Sequence, residues 1–145
     1  MAFITFQPSD YFNVKLYSGN GSTNAQTGVG FEPDLVWIKN RDGGGGSHDH
    51  YLFDQVRGAT KHIRSNTTNS EGTASGVDSF DSDGFTLGSS DGMNENGRTF
   101  VSWSWRASGT SGSANSNGSI SSTVSANTTA GFSIVKYTGT GSNGT

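Results

Sequence analysis

The sequence predicts an all-β protein, an antiparallel two-sheet sandwich of the jelly-roll or concanavalin-like kind. Three observations lead there. Apolar residues alternate with polar ones in short runs such as Phe12-Asn13-Val14-Lys15-Leu16-Tyr17 and Phe100-Val101-Ser102-Trp103-Ser104-Trp105, the period of a half-buried strand. Clusters of Gly, Asn, Ser and Asp punctuate these runs, with 22 glycines in 145 residues, and such clusters turn the chain rather than continue a helix. Hydrophobic residues make up only 30% of the chain while 11% are aromatic, so the core rests on a few large rings, which suit pleated faces.

A chain of 145 residues is of single-domain size and can bury roughly two thirds of its unfolded surface. Residues 1–11 read as an N-terminal segment and 12–131 as the sandwich. Within the first of these, Phe3, Ile4 and Phe6 give an apolar opening that Gln7-Pro8-Ser9-Asp10 ends. In the run that follows, Phe12, Val14 and Leu16 share one face and are expected to be the buried set, until Ser18-Gly19-Asn20-Gly21 breaks the strand.

Residues 22–30 read as loop, and Pro33-Asp34 leads into Leu35-Val36-Trp37-Ile38, the strongest apolar run, whose successive apolar positions predict cover on both faces. Four consecutive glycines, Gly43 to Gly46, make a flexible excursion before Tyr51-Leu52-Phe53-Asp54-Gln55-Val56 pairs back as a neighbouring strand. A helix over 47–64 is the alternative, disfavoured by Gly58 and β-branched neighbours. Thr60 to Arg64 reads as a further short strand, and Asn69 to Ser79 as loop or weak edge.

Asp81-Ser82-Asp83-Gly84 has the composition of a tight turn ahead of Phe85-Thr86-Leu87. Asn96-Gly97 is the strongest hairpin dipeptide, and in the strand after it Val101, Trp103 and Trp105 are expected to face the core, with Phe100, Ser102 and Ser104 opposite. Residues 107–119 read as a low-complexity linker and Ile120 to Val124 as an edge strand.

The tail repeats the beginning. Phe132-Ser133-Ile134-Val135-Lys136-Tyr137-Thr138-Gly139-Thr140-Gly141-Ser142 echoes Phe12 to Ser22 at an offset of 120 residues, keeping Phe, Tyr, both glycines and the final Ser. Residues 132–145 are therefore either a strand that pairs with its counterpart and closes the sandwich or the start of a second tandem unit, and the second reading is preferred.

Composition narrows the function. Charged residues are 14% of the chain and the net charge is −3, with no cluster of Lys or Arg, which argues against the basic face that nucleic acid needs. No window approaches 18 apolar residues, so no membrane insertion is expected, and the first residues lack the pattern of a secretory signal. With zero cysteine there are no disulfides and no thiolate metal sites.

Motifs for chemistry are sparse. His48-Asp49-His50 sets two imidazoles two residues apart on the lip of the glycine loop, a weak metal candidate at His48 and His50, with His62 on a different element. Asp81 and Asp83 resemble part of a calcium loop, but Ser79 and Ser90 stand where its first and twelfth ligands belong. An Asp-rich turn is the preferred reading of them. Glu32, Glu71 and Glu95 fall in loops and form no paired-carboxylate pattern, and no nucleophile elbow or phosphate loop occurs. No catalytic residue and no cofactor is expected, and the protein reads as a non-enzyme. Trp37, Trp103 and Trp105 are assigned to structure, and Tyr11, Tyr51 and Phe31 lie near loops.

The segments F-E-P-D-L-V-W-I-K-N-R-D, L-F-D-Q-V-R-G-A-T-K, S-N-T-T, S-F-D-S-D-G-F-T-L-G-S and G-R-T-F-V-S-W-S-W-R-A resemble a sandwich unit of virion proteins from marine tailed phages. That unit often occurs in tandem or beside concanavalin-like lectin modules. The resemblance spans about Phe12 to Thr145, and the four-glycine loop departs from it. It implies a tail fibre or spike component that contributes to adhesion on host-surface glycan, with other virion proteins as partners, a homo-oligomer, by analogy a trimer, and a location in the virion, extracellular after release. A capsid decoration or adaptor protein is the alternative. Either way a sheet scaffold would display loops 18–30, 41–50, 88–98 and 107–119, with several copies adding avidity.

Overall fold

The computed structural model describes residues 6–43 and 49–142. A single 3-10 turn, Pro8–Asp10, precedes β1 (Phe12–Ser18), β2 (Asn24–Thr27), β3 (Leu35–Asn40), β4 (Tyr51–Asp54), β5 (Lys61–Arg64), β6 (Gly72–Thr73), β7 (Val77–Asp81) and β8 (Gly84–Leu87). One helical turn, α1 (Asp91–Asn94), leads to β9 (Thr99–Trp105), β10 (Ser113–Asn115), β11 (Ser122–Asn127) and β12 (Phe132–Tyr137). The predicted helix alternative over 47–64 fails where that stretch is described, since β4 and β5 occupy it.

Every pairing is antiparallel. The main sheet has six strands in the order β1-β9-β3-β4-β5-β6, and a three-stranded sheet, β2-β8-β7, lies over one of its faces. Between them Tyr17, Val36, Ile38, Tyr51, Phe53 and Phe100 of the main sheet meet Val77, Phe85 and Leu87, with Val29, Phe31 and Met93 filling the rim of the same core. This is the all-β sandwich that the alternating runs predicted. A third sheet, β10-β11-β12, brings Phe132 onto Trp105, with ring centroids 6.2 Å apart, and Lys136 Nζ onto the Val56 carbonyl at 3.2 Å.

Three expectations about faces are corrected. In β1 the buried side is that of Tyr17, whereas Phe12, Val14 and Leu16 are 37%, 44% and 59% exposed. The inner face is sealed through polar stems: Asn13 Nδ2 donates to the Val29 carbonyl at 2.8 Å and Lys15 Nζ to the Thr27 carbonyl at 2.5 Å. In β9 Phe100, Ser102 and Ser104 face the core, and the two tryptophans stand half-buried on the outer face. There Trp103 packs on Trp37 (5.5 Å) and Trp105 on Phe12 (5.0 Å). Small serines at 102 and 104 leave room for the rings of the facing sheet. In β3 the expected cover on both faces is realised on one only: Val36, Ile38 and Asn40 are buried, and Leu35, Trp37 and Lys39 half-buried.

Boundaries differ too. The stretch 22–30 contains β2, the supposed linker 107–119 contains β10, and β11 is the middle strand of its sheet rather than an edge. Asn96-Gly97 turns the chain between α1 and β9, so it is no β-hairpin. The tight hairpin is Ser82-Asp83, closed by the pair Asp81 and Gly84. The last strand pairs with β11 and not with its counterpart β1.

Candidate binding surface

Antiparallel pairing decides which loops share an end of the main sheet. Ser18 is opposite Thr99, Asn40 opposite Phe100, and Tyr51 opposite both Ile38 and Arg64. The loops leaving β1, β3 and β5 and those entering β4 and β9 therefore gather at one end. Three of the four display loops, beginning at 18, 41 and 88, meet there, while 107–119 starts from the opposite end.

The junction of two of these loops is a single buried side chain. Asn94, fully buried at the end of α1, turns Nδ2 toward the Ser22 carbonyl (2.6 Å), the Gly88 carbonyl (2.7 Å) and Asn20 Oδ1 (3.2 Å). Its Oδ1 accepts from the Asn20 amide (3.1 Å) and Asn24 Nδ2 (2.9 Å). The backbone adds Gly19 N–H to the Arg98 carbonyl (2.8 Å), Gly21 N–H to the Asn94 carbonyl (2.7 Å) and Gly97 N–H to the Gly19 carbonyl (3.0 Å). A Cβ at Gly19 would collide with the Glu95 carbonyl oxygen, and Gly21 sits at φ +68°, so both glycines are required by the contact. The Tyr17 hydroxyl, donating to the Met93 carbonyl at 2.7 Å, anchors the same turn from below, and burial raises its pKa well above that of a free phenol.

The neighbouring loop is tied into this end as well. Asp42 Oδ2 accepts from the Thr99 amide (2.9 Å), and Arg41 N–H donates to the Thr99 carbonyl (2.8 Å). Across β3, Trp37 Nε1–H donates to His50 Nδ1 at 3.0 Å, while Asn66 donates to Asp49 Oδ1 at 2.9 Å and accepts from the His50 amide at 3.0 Å. Around these bonds Asn20, Asn96, Arg41, Asp42 and Asn66 stand exposed, with Arg98 3.6 Å from Glu95. The result is a polar surface of both charge signs on fixed backbone, suited to a hydroxyl-rich ligand and lacking any strongly basic field.

Among the described residues, the weak metal candidates His50, Asp81 and Asp83 each serve a separate local contact. His48 lies outside the described residues. His50 spends Nδ1 on Trp37, which leaves the ring proton on Nε2. Asp81 accepts from Ser79 Oγ (2.8 Å) and Thr86 Oγ1 (2.7 Å), inside its own hairpin. Asp83 accepts the Gly28 (2.9 Å) and Gly30 (2.7 Å) amides, which with Lys15 hold its carboxyl below the usual range. It is thus a clasp on the loop after β2. His62 is buried between Tyr51 and Phe53, at 5.3 and 5.6 Å. Burial first, then Arg64 and Arg57, lowers its pKa. Among the described residues no group of three or more His, Cys, Asp or Glu could hold a metal ion. Glu32, Glu71 and Glu95 each meet a different partner, Gln55, Lys61 and Arg98.

Two polar residues that organise the molecule carry no motif. Asn94 is one, and Asp34 is the other: fully buried, it accepts the Ala107 (2.6 Å) and Gly109 (3.0 Å) amides and so pins the start of the 107–119 segment to the main sheet. Burial raises the Asp34 pKa, and the bonds from Ala107, Gly109 and Ser125 oppose that rise. The recurrence of the Gly-x-Gly spacing at 19–21 and 139–141 was the available signal for the first, since it marks backbone that must approach something closely.

Residues 7–145 match the model of a family described as a domain of unknown function, DUF7483, and the chain belongs to that family. No curated protein and no solved structure matches it.

Proposed function

We propose that this DUF7483 domain is a non-enzymatic virion module, a tail fibre or spike component whose loop end meets glycan on the host surface. The observation that carries the reading is the locking of loops 18–24 and 88–98 through Asn94, which fixes an exposed polar surface before any ligand arrives. Preordered polar groups lose little entropy on binding, and several copies in one particle turn weak contacts into useful avidity. The motif resemblance to phage virion units and a surface built on Ser, Thr, Asn and Gly rather than on charge support the same assignment.

The test is binding of the isolated chain to host cells and to a glycan array, with Asn20→Ala, Asn96→Ala and Arg98→Ala in combination. Binding by the parent chain that falls at least about tenfold in the triple variant, with unfolding temperature held, supports adhesion. A second reading, a decoration or adaptor protein held by viral neighbours, is favoured by the apolar outer face of the main sheet, where Val14, Leu16 and Ile63 are 44%, 59% and 41% exposed. Retention on particles but not on cells, weakened by Leu16→Lys with Ile63→Lys, selects that reading.

A further inference from the structure

The geometry points to β12 and the turn after it as the first strand of a second copy of this fold, a strand that two units share. This inference does not depend on glycan binding. It rests on the echo of Phe12–Ser22 in Phe132–Ser142, read against what each copy of the motif does in the structure.

The first copy is docked through its tyrosine and both glycines. Tyr17 is buried with its hydroxyl on the Met93 carbonyl, and Gly19 and Gly21 dock their amides on Arg98 and Asn94. In the second copy Tyr137 is 64% and Val135 51% exposed, and a Cβ at Gly139 or Gly141 would meet nothing within 4 Å. Yet the backbone is already set: Gly141 holds φ +76° where Gly21 holds +68°. Tyr137 instead borders an open groove of about 550 Å³ on the small sheet, with Asn115, Ile120 and Ser122 across it.

The hydrogen-bonding edges are complementary. Arg106 N–H donates to the Tyr11 carbonyl and Gly19 N–H to the Arg98 carbonyl, so in β1 the odd-numbered residues point their backbone at β9 and the even-numbered ones at the open edge. In keeping with this, the Val14 amide is met by its neighbour Asn13 Oδ1 at 2.7 Å. At β12, the four-residue loop 128–131 closes on the pair Asn127 and Phe132, with Gly131 N–H on the Asn127 carbonyl. That closure turns Phe132, Ile134 and Lys136 toward β11 and leaves Ser133, Val135 and Tyr137 on the open edge. These three correspond to Asn13, Lys15 and Tyr17, the β1 residues bonded to β9. One strand can therefore serve β11 of one unit and β9 of the next without any backbone group being claimed twice.

The aromatic side chains agree. Trp105 lies between Phe12 (5.0 Å) and Phe132 (6.2 Å), the two equivalent phenylalanines. With a shared strand, each such Phe would stack between the Trp105 rings of successive units, covering the exposed side of Phe12.

The test is a fusion of residues 1–142 directly to a second copy of residues 23–145, so that the native 132–142 must complete the second unit. A linked pair that retains residues 12–22 in both copies is the control. We expect two folded units in both proteins. In the fusion the amides of Ser133, Val135 and Tyr137 should exchange at least about 100-fold more slowly than in the single chain. Tyr137→Ala should shift the single chain by no more than about 2 °C, as an exposed substitution does, but lower the unfolding of one unit of the fusion by about 10 °C. A disordered second unit beside a folded control, or an equal effect of Tyr137→Ala in both proteins, overturns the inference.

Discussion

Replacing Asn94 with alanine tests the locking of the loop end most directly. Five contacts leave with the side chain, to Asn20 twice, Ser22, Asn24 and Gly88. The Asn20 and Ser22 groups lie at the surface and regain water, whereas the Gly88 carbonyl, bonded in a buried setting, and the half-buried Asn24 amide do so poorly. At about 1 kcal/mol for each bond whose partner stays dry, plus a smaller loss from the void, the cost is roughly 2–3 kcal/mol. For a domain of this size that is a fall of about 5–10 °C in unfolding temperature. Urea unfolding with unchanged m-value gives the free energy, and hydrogen exchange should show the amides of residues 19–23 losing protection before the sheet does. Asn94→Asp should be at least as damaging at pH 7, because it turns an anion toward two carbonyl oxygens. A loss below about 0.5 kcal/mol, or loop amides as protected as in the parent, would refute the hub.

Two further predictions address the faces and the acid limb. Leu16→Lys, on the exposed side of β1, should change stability by less than about 0.5 kcal/mol, while Phe100→Ala, fully buried on β9 beside that edge strand, should cost about 3–5 kcal/mol by chemical denaturation. Asp83 and Asp34 should respond to pH with opposite sign. The depressed pKa of Asp83 contributes stability above about pH 3.8, lost as pH falls through its folded value, so Asp83→Asn should flatten the acid limb of unfolding temperature against pH. The raised pKa of Asp34 contributes stability that is complete below about pH 3.8 and is lost as pH rises through its folded value, a slope that Asp34→Asn should remove.

Strand positions were largely legible in the sequence because the period-two alternation of β1 and β9 survives whichever face is buried. The choice of face was not. Asn13 and Lys15 look solvent-facing, but their ends reach the backbone of the loop that carries Val29 and of β2, so polar atoms at the stem tips close an otherwise apolar layer. In β9 the two tryptophans lie outside while Ser102 and Ser104 are buried beside Phe100, so the core face carries the smaller residues at those positions. Hydrophobicity alone reverses such a strand. The loop end was visible only as turn composition: a run like Gly92-Met93-Asn94-Glu95-Asn96-Gly97 does not say which asparagine is buried. The partners of Asn94, at positions 20 to 24, are some seventy residues away, and Asp34 is likewise fixed by amides at 107 and 109. Contacts that distant have no local signature.

The pairing of β1 with β9 sets a schedule for biosynthesis. A ribosome must add roughly 80 residues after Ser18 before Thr99 exists to receive it, which at about 5–20 residues per second leaves the first strand waiting for some 4–16 s. During that interval Tyr17, buried in the finished fold, is unsheltered on a nascent chain beside Phe12, Val14 and Leu16, and closure of so long a loop is slow. Aggregation of newly made chains should therefore be governed by this opening segment, and a lower elongation rate should worsen it.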